Sequence, residues 1–129
     1  MKYLGIDYGD KKIGLAIADS ETKIASPYKI LTNSKDILSK ISEICQEEDI
    51  DKIIIGLPLT LKSSTSKQTK IVLNFIDKLK KIIDLPIIEQ DERLSSGYAK
   101  ELIKQMKIKH LDDDVAAMII LQSYLDENF

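Results

Sequence analysis

The chain reads as an α/β fold: a five-stranded mixed sheet, three antiparallel strands first and parallel strands after them, flanked by helices. Three observations predict it. Two short apolar strands, Tyr3–Asp7 and Ile13–Ala18, open the chain with only a polar turn between them, which makes them an antiparallel pair. Apolar runs of strand length then alternate with stretches whose apolar residues recur every three or four positions. Strands joined through helices require crossover connections, and these pair strands in parallel.

Each element has its own grounds. Asp10, Lys11 and Lys12 form the turn after Gly9, and Gly5 and Gly14 leave gaps in the strands where another backbone or a ligand can come close. Lys23–Leu31 reads as the third strand. Pro27 has no N–H for a ladder, which puts that strand at an edge or at a bulge. Thr32-Asn33-Ser34 reads as a turn and a helix cap. Ile37, Leu38, Ile41, Ile44 and Cys45 share one helical face, and the acids Glu47, Glu48 and Asp49, unfavourable at a helix carboxyl end, mark its stop. Lys52–Gly56 holds Ile53-Ile54-Ile55, a run typical of a central strand covered on both sides. Gly56-Leu57-Pro58-Leu59 ends it, and the polar stretch from Thr60 to Thr69 reads as a loop. Ile71, Val72, Phe75, Ile76, Leu79, Ile82 and Ile83 form the stripe of a second helix.

Pro86–Gln90 is the fifth strand and leads into Asp91-Glu92-Arg93. Ser95 or Ser96 can cap a third helix with Ala99, Leu102, Ile103 and Met106 on its inner face. Lys104, Lys107, Lys109 and His110 make a basic connector. A fourth helix opens on Asp112, Asp113 and Asp114, where acids suit the helix dipole, and its apolar residues cover much of its circumference. No internal repeat or linker interrupts the chain, so residues 1–129 are expected to form one domain. This order of elements is that of an RNase H-like fold.

Composition narrows the function classes. Hydrophobic residues at 43% and charged residues at 31% suit a soluble globular protein, and no apolar run approaches a membrane span. The amino end reads as a strand and not as a basic, apolar leader, so a cytoplasmic location is expected. A single cysteine, Cys45, allows no internal disulfide and reads as a packing residue. A single histidine, His110, allows no zinc site built on several histidines. A net charge of −2 argues against indiscriminate nucleic-acid binding but permits a local basic surface.

Ligands of open α/β sheets gather at the carboxyl ends of the strands. Asp7, Asp91 and Glu92 end strands there, and Asp113 opens the last helix, which can return to the same edge. An ionised carboxylate ending an apolar strand is costly unless it is paired, hydrogen-bonded or bound to a metal. Taken singly, each acid has a plainer reading: Asp7 before a turn glycine, Asp91-Glu92 as a turn, the Asp112–Asp114 run as a cap. Together they suggest a divalent cation, and all-oxygen ligands suit Mg²⁺ or Mn²⁺. Two such ions about 4 Å apart activate a water and stabilise a leaving oxygen in phosphodiester hydrolysis. Lys11, Lys12 and Arg93 are then candidates to hold a phosphate backbone.

Gly5-Ile6-Asp7-Tyr8-Gly9 with Lys12-Ile13-Gly14, Gly56-Leu57-Pro58-Leu59, Asp91-Glu92-Arg93-Leu94, and Asp113 with Ala116-Ala117 and Ile119 to Leu125 closely resemble the YqgF (RuvX) family over essentially the whole chain. The resemblance implies an RNase H-like, metal-dependent nuclease. Its members are described as cytoplasmic nucleases that process the 5′ end of pre-16S rRNA, related in fold to Holliday junction resolvases. It maps the family's acids onto Asp7, Glu92 and Asp113, with Asp91 the alternative to Glu92. It implies pre-16S rRNA, within a pre-ribosomal particle, as partner, with branched DNA the alternative, and a monomer or homodimer. Lys12 stands where an Arg is usual, Ser95-Ser96 replaces a common Thr pair, and Thr60-Leu61-Lys62-Ser63 replaces a loop that usually carries Asn and Gly.

Two rivals are weighed against this reading. An actin-like or sugar-kinase ATPase also has Asp-x-Gly between two strands, but it needs a second domain, and no phosphate loop of the Gly-x-Gly-x-x-Gly or Gly-x-x-x-x-Gly-Lys kind is present. A non-catalytic RNA-binding module would have no use for three acids at one sheet edge.

Overall fold

The structure is a computed structural model and describes residues 1–57, 67–91 and 113–128. Five strands, β1 (Lys2–Asp7), β2 (Lys12–Asp19), β3 (Ala25–Thr32), β4 (Lys52–Leu57) and β5 (Ile87–Asp91), form one sheet in the order β3-β2-β1-β4-β5. The β1–β2 and β2–β3 pairs are antiparallel, and the β1–β4 and β4–β5 pairs are parallel, as expected. The described helices are α1 (Ile37–Glu47), α2 (Lys67–Ile82) and α3 (Asp113–Asn128). Lys67, Gln68 and Thr69, expected at the end of the loop after Leu57, open α2 instead; the rest of that loop, the helix expected around Ala99–Met106 with its Ser95 or Ser96 cap, and the basic connector Lys104–His110 lie outside the described residues.

Both readings of Pro27 hold. β3 is an edge strand, and its ladder with β2 shifts register between Leu15, which faces Lys29, and Ala16, which faces Pro27. A residue that cannot donate to a ladder is tolerated at such a place. Lys12 departs from expectation. It belongs to β2, opposite Thr32, because the ladder to β3 continues past Ile13.

The cap expected at Thr32-Asn33-Ser34 is also corrected. Asp36 occupies the N-cap position of α1, and its side chain bonds no helix N–H. The Ser34 hydroxyl donates to the Asp36 carboxylate, which also faces Lys40 at 3.6 Å. These contacts, the Ser34 hydrogen bond first, hold the Asp36 carboxyl below its ordinary range. The Ile37 N–H donates instead to the Ser34 carbonyl at 3.2 Å.

Strand alternation divides the apolar residues into two layers. Leu4, Ile6, Ile13, Leu15, Ile53 and Ile55 meet α1 and α2 in one core, with Ile41, Val72, Phe75, Ile76 and Leu79. Tyr3, Ala16, Ala18, Ala25 and Ile54 meet α3 in the other, with Ala117, Ile120, Leu121, Tyr124 and Leu125. α3 is buried at consecutive positions from Ala117 to Leu121 and again at Ser123 to Leu125, round most of its circumference.

Candidate functional site

Asp7 is the last residue of β1, a central strand, and is half-buried. It lies opposite Gly14 of β2. Ile6 stands in line with Ile55 of β4, and Ile55 with Glu89 of β5, so the three parallel strands end together at one edge of the sheet. Alternation gives Asp7 the face of Tyr3 and Gly5, which is the face that α3 covers.

The turn that follows Asp7 is tightly fixed. A Cβ on Gly9 would sit 2.3 Å from the Lys12 carbonyl oxygen, so no side chain fits there. Asn33, at the far end of β3, holds the turn from outside. Its Nδ2 donates to the Gly9 carbonyl at 2.9 Å, and its backbone N–H donates to the Lys11 carbonyl at 2.9 Å. Sequence reasoning assigned Asn33 to a helix cap and missed this role. The available signal was an amide side chain just past a strand end, but a contact across 24 residues has no sequence period to reveal it. Lys11 and Lys12 are both exposed beside this turn, and Lys12 falls in the alternation set of Gly14, on the face of Asp7.

Gly5 explains how closely α3 approaches. A Cβ there would lie 2.8 Å from the Leu121 Cβ and 3.0 Å from the Ala117 carbonyl oxygen, so the gap in β1 is filled by the helix itself. The Tyr3 ring meets the Tyr124 ring edge-on at 6.0 Å between centroids. Passing along β1 from Tyr3 to Gly5 is therefore passing along α3 from Tyr124 toward Ala117 and the amino end that Asp113 opens. The helix is pinned at both edges of the sheet. Gln122 accepts the Ala25 N–H at 2.9 Å and donates to the Lys23 carbonyl at 3.1 Å, while Gln90 of β5 donates to Glu127 at 3.2 Å in the last turn.

Of the remaining candidates, Asp91 ends β5 opposite Leu57. Glu92 and Arg93 lie outside the described residues. Among the described residues no three of His, Cys, Asp and Glu gather into a metal-binding group. The donor chemistry at the sheet edge is that of carboxylate oxygen, which fits a hard divalent cation. The one thiol is elsewhere. Cys45 is buried against the α1 and α2 core, and burial pushes it up to about 11.

The architecture matches solved structures closely. RuvC of T. thermophilus in complex with a Holliday junction substrate superposes with a TM-score of 0.66, at 12% identity, over 98% of this chain and 94% of that one. The fowlpox virus Holliday junction resolvase gives 0.61 at 15% identity, over 98% and 99%. These likenesses define an RNase H-like fold of the resolvase type. The sequence goes further. The RuvX family, described as "Holliday junction resolvase", matches residues 1–127, and the chain belongs to that family. Among its relatives, a protein of Rickettsia conorii is 38% identical over 95% of this chain and 84% of its own length. A protein of Sulfurihydrogenibium sp. is 38% identical over 97% and 90%. Both bear the name "Putative pre-16S rRNA nuclease". Fold and family together make this chain a nuclease of the RNase H-like class.

Proposed function

We propose that the chain hydrolyses phosphodiester bonds in a divalent-metal-dependent reaction, with the 5′ end of pre-16S rRNA as its substrate. The observation that carries this reading is Asp7, a half-buried carboxylate ending a central strand where the parallel strands stop, on the face to which the amino end of α3 advances. Asp7, Glu92 and Asp113 are the proposed acids. In favour of Glu92 over Asp91 is its spacing. It stands two positions after Gln90, and Gln90 shares the α3 face through its bond to Glu127. Mg²⁺ or Mn²⁺ held by these carboxylates would supply an activated water and stabilise the leaving oxygen. Lys11, Lys12 and Arg93 bind the phosphate backbone and orient the strand over the sheet edge. The enzyme works in the cytoplasm on a pre-ribosomal particle, as monomer or homodimer; the relatives named for pre-16S rRNA support this reading.

The test is cleavage of a pre-16S 5′ leader and of a four-way DNA junction, side by side, with Mg²⁺, Mn²⁺ or EDTA. Cleavage of the leader, lost in EDTA, is expected. Asp7→Asn, which removes a charge and almost no volume, should lower the rate by at least about 100-fold while the circular dichroism spectrum stays unchanged. Symmetric nicking of the junction with no cleavage of the leader would replace the ribosomal reading by a resolvase.

A further inference from the structure

A second feature lies on the opposite face of the same strand end. A cleft of about 340 Å³ opens between the start of α1 and one side of α2, with Tyr8 in its lining. Its apolar lining is Ile37 and Phe75, both buried, with the half-buried Leu38 and Ile71. Its rim carries the amides of Asn33 and Asn74 and the ammonium groups of Lys35 and Lys78. Both lysines are exposed, and among the described residues neither pairs with a carboxylate. The acid next to Lys35, Asp36, is engaged with Ser34 and Lys40, and Asp77, next to Lys78, makes no ion pair with it among the described residues. The Tyr8 ring is held against Phe75 at 4.9 Å between centroids, tilted by 53°.

This combination selects a ligand class. An apolar, partly aromatic lining suits a flat heterocycle, amides at the rim suit its hydrogen-bonding edge, and two unpaired cations suit phosphate. The volume is at the low end for small-molecule sites and matches one compact group. Tyr8 directly follows Asp7, so alternation sends the two side chains to opposite faces of β1 at the same edge. Tyr8 thus ties the cleft to the strand end that carries Asp7.

We propose that the cleft takes one unpaired nucleotide of the substrate strand, with Lys35 and Lys78 holding the flanking phosphates. This deepens the nuclease reading, on which it rests, by assigning the substrate an unpaired nucleotide next to the cleaved bond. The occupant's chemistry is that of a nucleotide, which a strand or a free mononucleotide supplies equally, so the test separates the two.

Fluorescence anisotropy in EDTA measures binding of the full chain to a labelled single-stranded RNA, to the same sequence as duplex, and in competition with AMP. The double variant Lys35→Glu/Lys78→Glu is expected to bind the single strand at least tenfold more weakly, with a flatter salt dependence, and to lose no more than twofold on the duplex. Asn74→Trp places a bulky ring at an exposed rim position and should weaken single-strand binding too. Unchanged single-strand affinity in both variants overturns the proposal. So does an equal loss on the duplex, which would show general electrostatic attraction. AMP that binds the parent chain but not the double variant, with single-strand binding unaffected, overturns it in favour of a free nucleotide. The measurement reads binding and not turnover, so a failure of the cleavage test leaves it standing, and a failure here leaves the nuclease reading intact.

Discussion

On the face of the sheet covered by α1 and α2, the strands present Leu4, Ile6, Ile13, Leu15, Ile53 and Ile55, all without exposed surface. On the face covered by α3, the same strands present Gly5, Ala16 and Ala18, with Tyr3 and Ile54 as the large exceptions. The first face is thick and branched, and buries the larger share of aliphatic side chain, which is the main source of folding free energy. The second is thin, so the backbone of α3 comes within contact of the β1 backbone at Gly5. A strand with period two can serve both purposes at once. In β1, Tyr3 and Gly5 set a helix close, and Leu4 and Ile6 fill a core. The candidate acid Asp7 falls on the thin side, where a helix terminus can reach it, and the proposed nucleotide cleft on the thick side.

If this division of labour is right, truncation on the thick face costs stability and little else. Ile55→Ala removes a fully buried side chain between β4 and its helices. It should destabilise the chain by roughly 2–5 kcal/mol in urea titration. The cleavage rate per folded molecule should stay within about twofold. A rate that falls far more than the folded fraction would mean that the thick face shapes the catalytic edge as well.

The converse substitution is Gly5→Ala, on the thin face. The added methyl meets Leu121 Cβ at 2.8 Å and the Ala117 carbonyl at 3.0 Å, and the latter is backbone that cannot swing away. Overpacking of this kind costs roughly 1–3 kcal/mol. Because α3 must then lift or slide, cleavage should fall by more than the loss of folded protein explains. Adding Leu121→Gly removes the nearest obstacle, the Leu121 Cβ, so the two substitutions together should cost less than the sum of their separate costs, a coupling of roughly 0.5–3 kcal/mol in a double-mutant cycle. Strict additivity would break the claim that these two positions set the distance of α3.

Much of this contrast is legible in the sequence, for identifiable reasons. The Ile53–Ile55 run and the Ile37–Cys45 stripe carry strong periods, and the structure returns β4 and α1 within a residue or two of the expected bounds. Gly5 inside a strand announces a close approach, and α3 makes it. Asp7 is legible as a strand-ending acid because an apolar run makes a carboxylate conspicuous. The start of α1 was not legible. Ser34 and Asp36 are both good capping residues two positions apart, and their side chains satisfy each other instead of the helix. The hold of Asn33 on Gly9, and the cleft lined from three segments, depend on contacts distant in sequence, and no local pattern encodes them.

The smallest effect expected is at Cys45, which serves as a probe of how dry the thick face is. The thiol is almost fully buried, and burial raises it from the ordinary 9.0 to about 11 because the thiolate would lose its hydration. A raised value in the folded state means that the neutral thiol is favoured there. Its contribution to stability is therefore fully present below pH 9 and is lost as pH rises from about 9 through about 11. Lysines and tyrosines titrate over the same range, so the parent chain has to be compared with Cys45→Ala at each pH. The stability advantage of the parent should be constant up to about pH 9 and shrink steadily above it. At pH 8 the native thiol should resist iodoacetamide, reacting only as fast as the chain opens, and should react at once in denaturant. Rapid alkylation of the native chain, or an advantage that grows with pH, would show that water reaches the α1 core. The difference between the two faces would then be one of side-chain size alone and not of solvent exclusion.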